Sequence, residues 1–112
     1  MGRTGFPGEF EQMVLLAVLQ LRDEAFAPAV AAQLEAKAER RVSRGALYAT
    51  LDRLETKGWV RWQMDRPSRE RGGYRKRSFT VTEEGLSILR TARHAMEALA
   101  SGLGGVLDER LR

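Results

Sequence analysis

The spacing of the apolar residues changes twice along this chain, and these changes constrain the fold more than any other feature. Up to about residue 57, apolar residues recur every three or four positions, the spacing of helices that bury one face. From Trp59 to Asp65, and again from Tyr74 to Val81, apolar and polar residues alternate as they do in strands. Turn residues and arginines separate the two alternating segments, so we predict a β-hairpin. Helical spacing then returns.

Three helices are predicted before the hairpin. The first, Phe10 to Leu21, is apolar nearly all round, which indicates burial on two sides. In a chain of 112 residues, the second side would face another subunit. Pro28 suits the first turn of the second helix, where its missing N–H costs nothing. Ser43 is the predicted N-cap of the third helix, and Gly58 its stop signal.

A final helix is predicted after the hairpin. Thr82 is its expected cap, with Glu83 and Glu84 in the first turn, where acids suit the helix dipole. Its apolar residues alternate between three- and four-residue steps, the pattern of a coiled-coil seam. The seam residues are Leu89, Ala92, Met96, Leu99 and Leu103. Glycines from Gly102 onwards weaken the helix, so we expect a frayed tail.

The positive charge is concentrated in one segment. Between Arg61 and Arg77, seven basic residues stand against two acids, a sum of +5. The whole chain carries +4, so the rest sums to −1. Such a segment suggests a polyanion partner, chiefly nucleic acid, with a solvated loop as the alternative.

The composition also excludes several functions. The chain has no cysteine, which excludes disulfides, thiolate zinc sites and a cysteine nucleophile. A single histidine, His94, excludes a two-histidine metal site. The sequence also offers no pair of a nucleophile and a base, so we do not expect an enzyme. We therefore expect no cofactor and no metal. Neither a signal peptide nor an apolar segment of membrane length is present, so we expect a cytoplasmic, nucleoid-associated protein.

Helix, helix, helix, strand, wing, strand, helix is the order of a winged helix-turn-helix. We predict a mostly α fold with a small β-hairpin. Residues 1–81 would form the DNA-binding region, and residues 82–112 a C-terminal dimerisation helix and tail, within one compact domain. In such folds the third helix enters the major groove and the wing lies along the flanking backbone. DNA contacts are therefore expected from helix 43–57 and the basic wing 66–77.

Candidate contact residues follow from this geometry. The small side chains of Gly45 and Ala49 would let the third helix approach the bases closely. Free N–H groups near Ser43 suit a phosphate, and Arg44 can add a charge-assisted hydrogen bond. Hydrogen bonds to DNA are predicted from Tyr48 and Arg53, and phosphate contacts from Arg69, Arg71, Arg75, Lys76 and Arg77. Alternatives stay open: Tyr48 could be half-buried, Arg53 could pair with Asp52, Glu55 or another helix, and the wing could be merely solvated.

Two segments carry a family resemblance. VSRGALYATLDRLETKGWV at residues 42–60 and RERGGYRKRSFTVTEEG at residues 69–85 resemble the PadR family of bacterial transcriptional regulators. Residues 15–21 and 24–36 extend the likeness over most of the chain, and its short length resembles the subgroup with one C-terminal helix. The resemblance implies a homodimeric repressor that binds double-stranded DNA at a pseudo-palindromic operator. It also implies that the C-terminal helix packs on the partner's first helix. The interface would comprise Leu16, Leu19, Leu89, Ala92, Met96, Leu99 and Leu103.

Two departures from the family qualify what it implies. Phe26 and Ala27 stand where relatives usually carry tyrosine and glycine, which removes a hydroxyl that could contact a phosphate. The C-terminal helix has no aromatic residue, so sensing of flat drugs by ring stacking is not expected. A small-molecule effector stays unidentified.

Two other binding functions remain as alternatives. A winged-helix protein-interaction module would keep the fold without sequence-specific DNA binding, but the basic wing argues against it. An RNA reader would need exposed aromatic residues on a sheet face. Only Trp59, Trp62 and Tyr74 could serve, and the two tryptophans look structural.

Overall fold

The fold is a three-helix body with a β-hairpin and two C-terminal helices, in a computed structural model that describes residues 5–65 and 76–110. The elements are α1 (Glu9–Leu21), α2 (Ala27–Ala38), α3 (Arg44–Thr56), β1 (Val60–Met64), β2 (Arg77–Val81), α4 (Glu83–Ala100) and α5 (Gly104–Arg110). This arrangement confirms the predicted fold class. None of the helices within those two ranges is both long and apolar enough to cross a membrane.

The predicted helix boundaries are confirmed by their capping contacts. Ser43 Oγ accepts a hydrogen bond from the Ala46 N–H at 3.1 Å, as an N-cap does. Thr82 Oγ1 accepts one from the Gly85 N–H at 3.0 Å and donates one to the Gly58 carbonyl at 2.7 Å. Gly58 ends the α3 segment with φ of 82°, a left-handed conformation that favours glycine. One hydroxyl therefore joins the start of α4 to the turn after α3.

The hairpin follows the alternation of its sequence. In the antiparallel register, Val60 pairs with Val81 and Trp62 with Phe79. Val60, Phe79 and Val81 are buried, so this face of the hairpin closes the core. The Phe79 N–H donates to the Ala25 carbonyl at 3.0 Å, which joins β2 to the connection before α2. The predicted wing residues Arg69, Arg71 and Arg75 lie outside the described residues.

One apolar core is shared by α1, α2, α3, the hairpin and the N-terminal half of α4. Leu89 and Ala92, predicted as dimer-interface residues, are 3% and 0% exposed within the single chain. The protein's own body already covers both positions, so little of their surface is left for a second chain, and their place in the interface stays a prediction. The apolar residues of this repeat therefore pack within the chain as far as Ala92. The later ones, from Met96 on, are exposed to solvent.

Beyond Ala92 the C-terminal arm, residues 95–108, packs little against the body. Its large apolar side chains are exposed: Met96, Leu99, Leu103, Val106 and Leu107. The helix breaks at Gly102, where φ is 83°, and then resumes as α5. The structure differs from the expected frayed tail at residues 104–110, which form α5 although the helix begins with two glycines.

Candidate nucleic-acid interface

The solvent-facing side of α3 carries most of the predicted base-reading residues. Leu47, Leu51 and Leu54 turn inward and are buried, which leaves the opposite side of the helix exposed. Ser43, Arg44, Gly45 and Ala49 are all exposed on α3 or at its N-cap. A Cβ built at Gly45 meets no atom within 4 Å. The fold itself therefore does not require glycine at this position.

Tyr48 lies between the exposed and buried sides of α3. It is half-buried and packs against the edge of the core. Its ring lines two adjoining clefts, which share Ala27, Pro28 and Tyr48. Tyr48 is therefore half-buried, as one alternative expected, and part of its side chain borders an open surface. Its contact with DNA stays a prediction.

These two clefts form a concave surface with positive charge at both ends. One cleft includes Arg44 near the start of α3, and the other includes Lys76 and Arg77 at the base of the wing. Within the described part of the chain, no acidic residue lines either cleft. We call this concave region around Tyr48 the basic cleft. Its shape and charge suit a phosphodiester backbone.

The start of α2 forms one wall of the basic cleft. Phe26, which stands where the family resemblance leads one to expect a tyrosine, is buried. The Lys76 ammonium lies 5.5 Å from the centroid of its ring. A cation over an aromatic face at this distance is attracted by the ring quadrupole. This contact holds the Lys76 side chain, immediately before β2, against the residue that precedes α2.

Arg53 turns away from the basic cleft. Its Nε lies 3.5 Å from Glu11 Oε2 on α1, and its Nη2 donates to Thr50 Oγ1 at 3.2 Å. Arg53 therefore pairs with a neighbouring helix, which was one of the alternatives left open by the sequence. The Arg53 side chain is still 53% exposed, so its predicted contact with DNA stays a prediction.

Sequence reasoning did not single out Glu11, although this residue contacts two side chains at the C-terminal end of α3. It is 7% exposed, and its Oε2 accepts a hydrogen bond from Lys57 Nζ at 2.8 Å. Its Oε1 accepts one from the Gly8 N–H at 2.9 Å. The only sequence signal was that Glu11 is the one charged residue of the helix predicted from Phe10 to Leu21. Glu11 joins the start of α1 to the end of α3, and so fixes α3 on the body.

The pKa of Glu11 records the balance of these contacts. Burial raises it, but the hydrogen bonds from Lys57 and Gly8, with the charge of Lys57 and the contact from Arg53, together hold the pKa below its usual value. The folded-state pKa is thus below the unfolded-state pKa. The ionised Glu11 therefore stabilises the folded protein fully at pH values above its unfolded-state pKa. This stabilisation is lost as the pH falls through its folded-state pKa.

Glu11→Gln is expected to lower the free energy of unfolding by about 1–3 kcal/mol at pH 7, the usual size for hydrogen bonds to charged groups. The difference from the wild type should shrink as pH falls below the ordinary glutamate range, about 4.3. Urea unfolding at pH 7 and at acid pH measures both. The control is Glu9→Gln, whose side chain is 79% exposed and should change stability little. A difference that is constant with pH would contradict the assignment.

A second surface lies between α1 and α4. Leu16, Leu19, Leu86 and Leu89 line a groove there, together with Arg90, Arg93, His94 and Glu97. Leu16 is half-buried and Leu19 is 37% exposed. Of the predicted interface residues, Leu16, Leu19, Met96, Leu99 and Leu103 therefore keep apolar surface that a second chain could cover.

Comparisons with known proteins agree with this geometry. Residues 15–91 match the profile of a family described as the transcriptional regulator PadR-like family. The chain is 28% identical to a PadR family transcriptional regulator from Eggerthella lenta, with a TM-score of 0.65 over 88% of this chain and 86% of that one. It is 26% identical to a Streptococcus transcriptional regulator, with a TM-score of 0.65 over 87% and 90% of the two chains.

A PadR-like transcriptional regulator from Bacillus cereus shares the fold at 18% identity, with a TM-score of 0.71 over 88% of this chain and 90% of that one. A search of the curated proteins gave no match.

Proposed function

Because the chain belongs to the PadR-like family of transcriptional regulators, we propose that it is a homodimeric repressor of a pseudo-palindromic operator. It is a DNA-binding regulator with a winged-helix fold, and not an enzyme. The observation that carries the proposal is the basic cleft, which joins the exposed side of α3 to the base of the wing.

In the proposed complex, α3 enters the major groove. Gly45 and Ala49 face the bases, and Tyr48 contacts the DNA at the edge of the helix. Arg44, Lys76 and the N-terminus of α3 at Ser43 contact phosphates. In the wing, Arg69, Arg71 and Arg75 add phosphate contacts. Phosphate contacts position the protein and make its affinity depend on salt, whereas the α3 contacts select the sequence.

The proposed dimer covers the apolar surface that the single chain leaves exposed. Met96 and Leu99 extend the α4 face past the body, where they are 59% and 76% exposed. Packing of this face on Leu16 and Leu19 of a second copy would bury all four residues. Two recognition helices would then lie about 34 Å apart, one turn of the duplex, and a bound dimer would block the promoter. A ligand that altered this spacing would release the DNA.

Gly45→Ala tests the close approach of α3 to the bases. We expect the free protein to gain up to about 0.5–1 kcal/mol, because alanine is the better helix residue. Operator affinity should fall about tenfold or more, since the added methyl would crowd a packed contact. Thermal melting and fluorescence anisotropy measure the two effects. Gly104→Ala, at another position where a Cβ meets nothing within 4 Å, should leave affinity unchanged. If Gly45→Ala bound the operator as tightly as the wild type, the proposed position of α3 in the major groove would be contradicted.

The whole proposal is tested by anisotropy titrations at two salt concentrations. Duplexes from promoters beside the gene are compared with a random duplex. We expect one promoter to bind at least about 1,000-fold more tightly than random DNA. Weak, equal binding to every duplex would contradict a specific repressor. If the protein bound no duplex and was not retained on a heparin column, a winged-helix protein-interaction module would be favoured instead.

A further inference from the structure

Three aromatic rings surround the guanidinium group of Arg77. Its central carbon lies 4.9 Å from the ring centroid of Trp62, 5.4 Å from that of Tyr48 and 5.5 Å from that of Phe79. These rings come from β1, α3 and β2, so one side chain contacts both strands of the hairpin and the recognition helix. We call the four residues the aromatic clamp.

The strand register explains why Arg77 points inward. Side chains two residues apart lie on one face of a strand, so Arg77 shares its face with Phe79 and Val81. Those two are buried in the core. Arg77 pairs with Met64, the last residue of β1, at the end of the hairpin next to the wing, and it is half-buried. Its side chain therefore extends the core-facing row and meets Tyr48 there.

From this geometry we infer that Arg77 is a positioning residue, which acts on DNA recognition through Tyr48 and not by a phosphate contact of its own. A planar guanidinium stacks on aromatic faces in a fixed orientation. It holds the Tyr48 ring at the edge of the basic cleft and fixes the hairpin relative to α3. The inference rests on the proposed function, in which Tyr48 contacts the operator.

The inference and a direct phosphate contact predict different DNA-binding behaviour for Arg77→Met, which keeps the apolar stem and removes the charge. A lost phosphate contact weakens binding to every sequence and reduces the salt slope by about 0.9. A lost positioning residue weakens operator binding by about tenfold, while affinity for random DNA and the salt slope stay near the wild-type values. The matched control is Arg75→Met, a predicted phosphate contact, which should reduce the slope and affect both duplexes alike.

A double-mutant cycle tests whether Arg77 acts through Tyr48. In a Tyr48→Ala background, Arg77→Met should cause no further loss of operator affinity, because its target is already gone. Additive losses would overturn the inference, as would a fall in random-DNA affinity equal to that of Arg75→Met.

A DNA-free measurement separates this inference from the proposed function. The chain has two tyrosines, so 3-fluorotyrosine labelling gives two ¹⁹F resonances, which Tyr74→Phe assigns. Arg77→Met should shift the Tyr48 resonance and Arg75→Met should not. An unshifted resonance overturns the clamp even if the wild type binds its operator. A shifted resonance in a protein that binds all duplexes equally keeps the clamp and overturns the operator proposal.

A second variant guards against misfolding. If circular dichroism shows that Arg77→Met is unfolded, Arg77→Lys replaces it. Lysine keeps the positive charge but has no planar face to stack. Loss of operator selectivity at an unchanged salt slope would support positioning, whereas full wild-type binding by Arg77→Lys would overturn it.

Discussion

Gly85→Ala is expected to destabilise the protein by about 3 kcal/mol, at the upper end of the usual cost of overpacking. A Cβ at this position would lie 2.2 Å from the Trp59 carbonyl oxygen and 2.9 Å from Val81 Cγ1. The first turn of α4 rests directly on the backbone at the start of β1, so relief requires a backbone shift. Urea unfolding followed by circular dichroism measures the loss.

Gly105→Ala is the matched control for Gly85. It also adds one methyl group to a helical glycine, but a Cβ there meets nothing within 4 Å. Its stability should stay unchanged or rise by up to about 1 kcal/mol, from helix propensity alone. A Gly85→Ala protein that is as stable as Gly105→Ala would disprove the close approach of α4 to β1.

Leu99→Asp is expected to have the largest effect on function. Leu99 is 76% exposed in the single chain, so the substitution should change monomer stability by no more than about 0.5 kcal/mol. In the proposed dimer, it would bury an unpaired carboxylate and raise the dissociation constant at least about 100-fold. Loss of two-site binding should then lower operator affinity by about 10²–10⁴-fold. Light scattering after gel filtration and anisotropy measure the two effects.

Ala98→Asp adds the same charge one residue away. Ala98 is also exposed, but lies about 100° round the helix from Leu99, away from Met96. This variant should remain dimeric and bind the operator normally. A dimeric Leu99→Asp protein would contradict the proposed interface, and equal dissociation of both variants would show that the effect is not specific to one face.

Signals between near neighbours in the sequence predicted most of the fold. The caps at Ser43 and Thr82 and the stop at Gly58 depend on contacts within about four residues, and all three are present. Alternation along residues 59–65 and 74–81 predicted the two strands of the hairpin, and Val60 and Val81 on these strands are buried. The order of these elements was enough to predict a winged helix-turn-helix.

Side-chain partners were harder to predict, because each depends on a packing angle between distant elements. Arg53 had acidic neighbours in its own helix, yet it contacts Glu11, 42 residues earlier in the chain. From the sequence, Arg77 was predicted only as one of several cations of the wing. In the structure, the strand register places it against the Tyr48 ring. Neither contact has a signature in the local sequence.

The sequence by itself therefore determined the elements, their order and the position of the positive charge, since these follow from short-range propensity and spacing. Only the tertiary structure decided how each helical face is used. Leu89 and Met96 belong to one repeat, but Leu89 is 3% exposed and Met96 is 59% exposed. The physical reason is the extent of the body: it covers α4 as far as Ala92, and a helix that continues past its support keeps its apolar face uncovered.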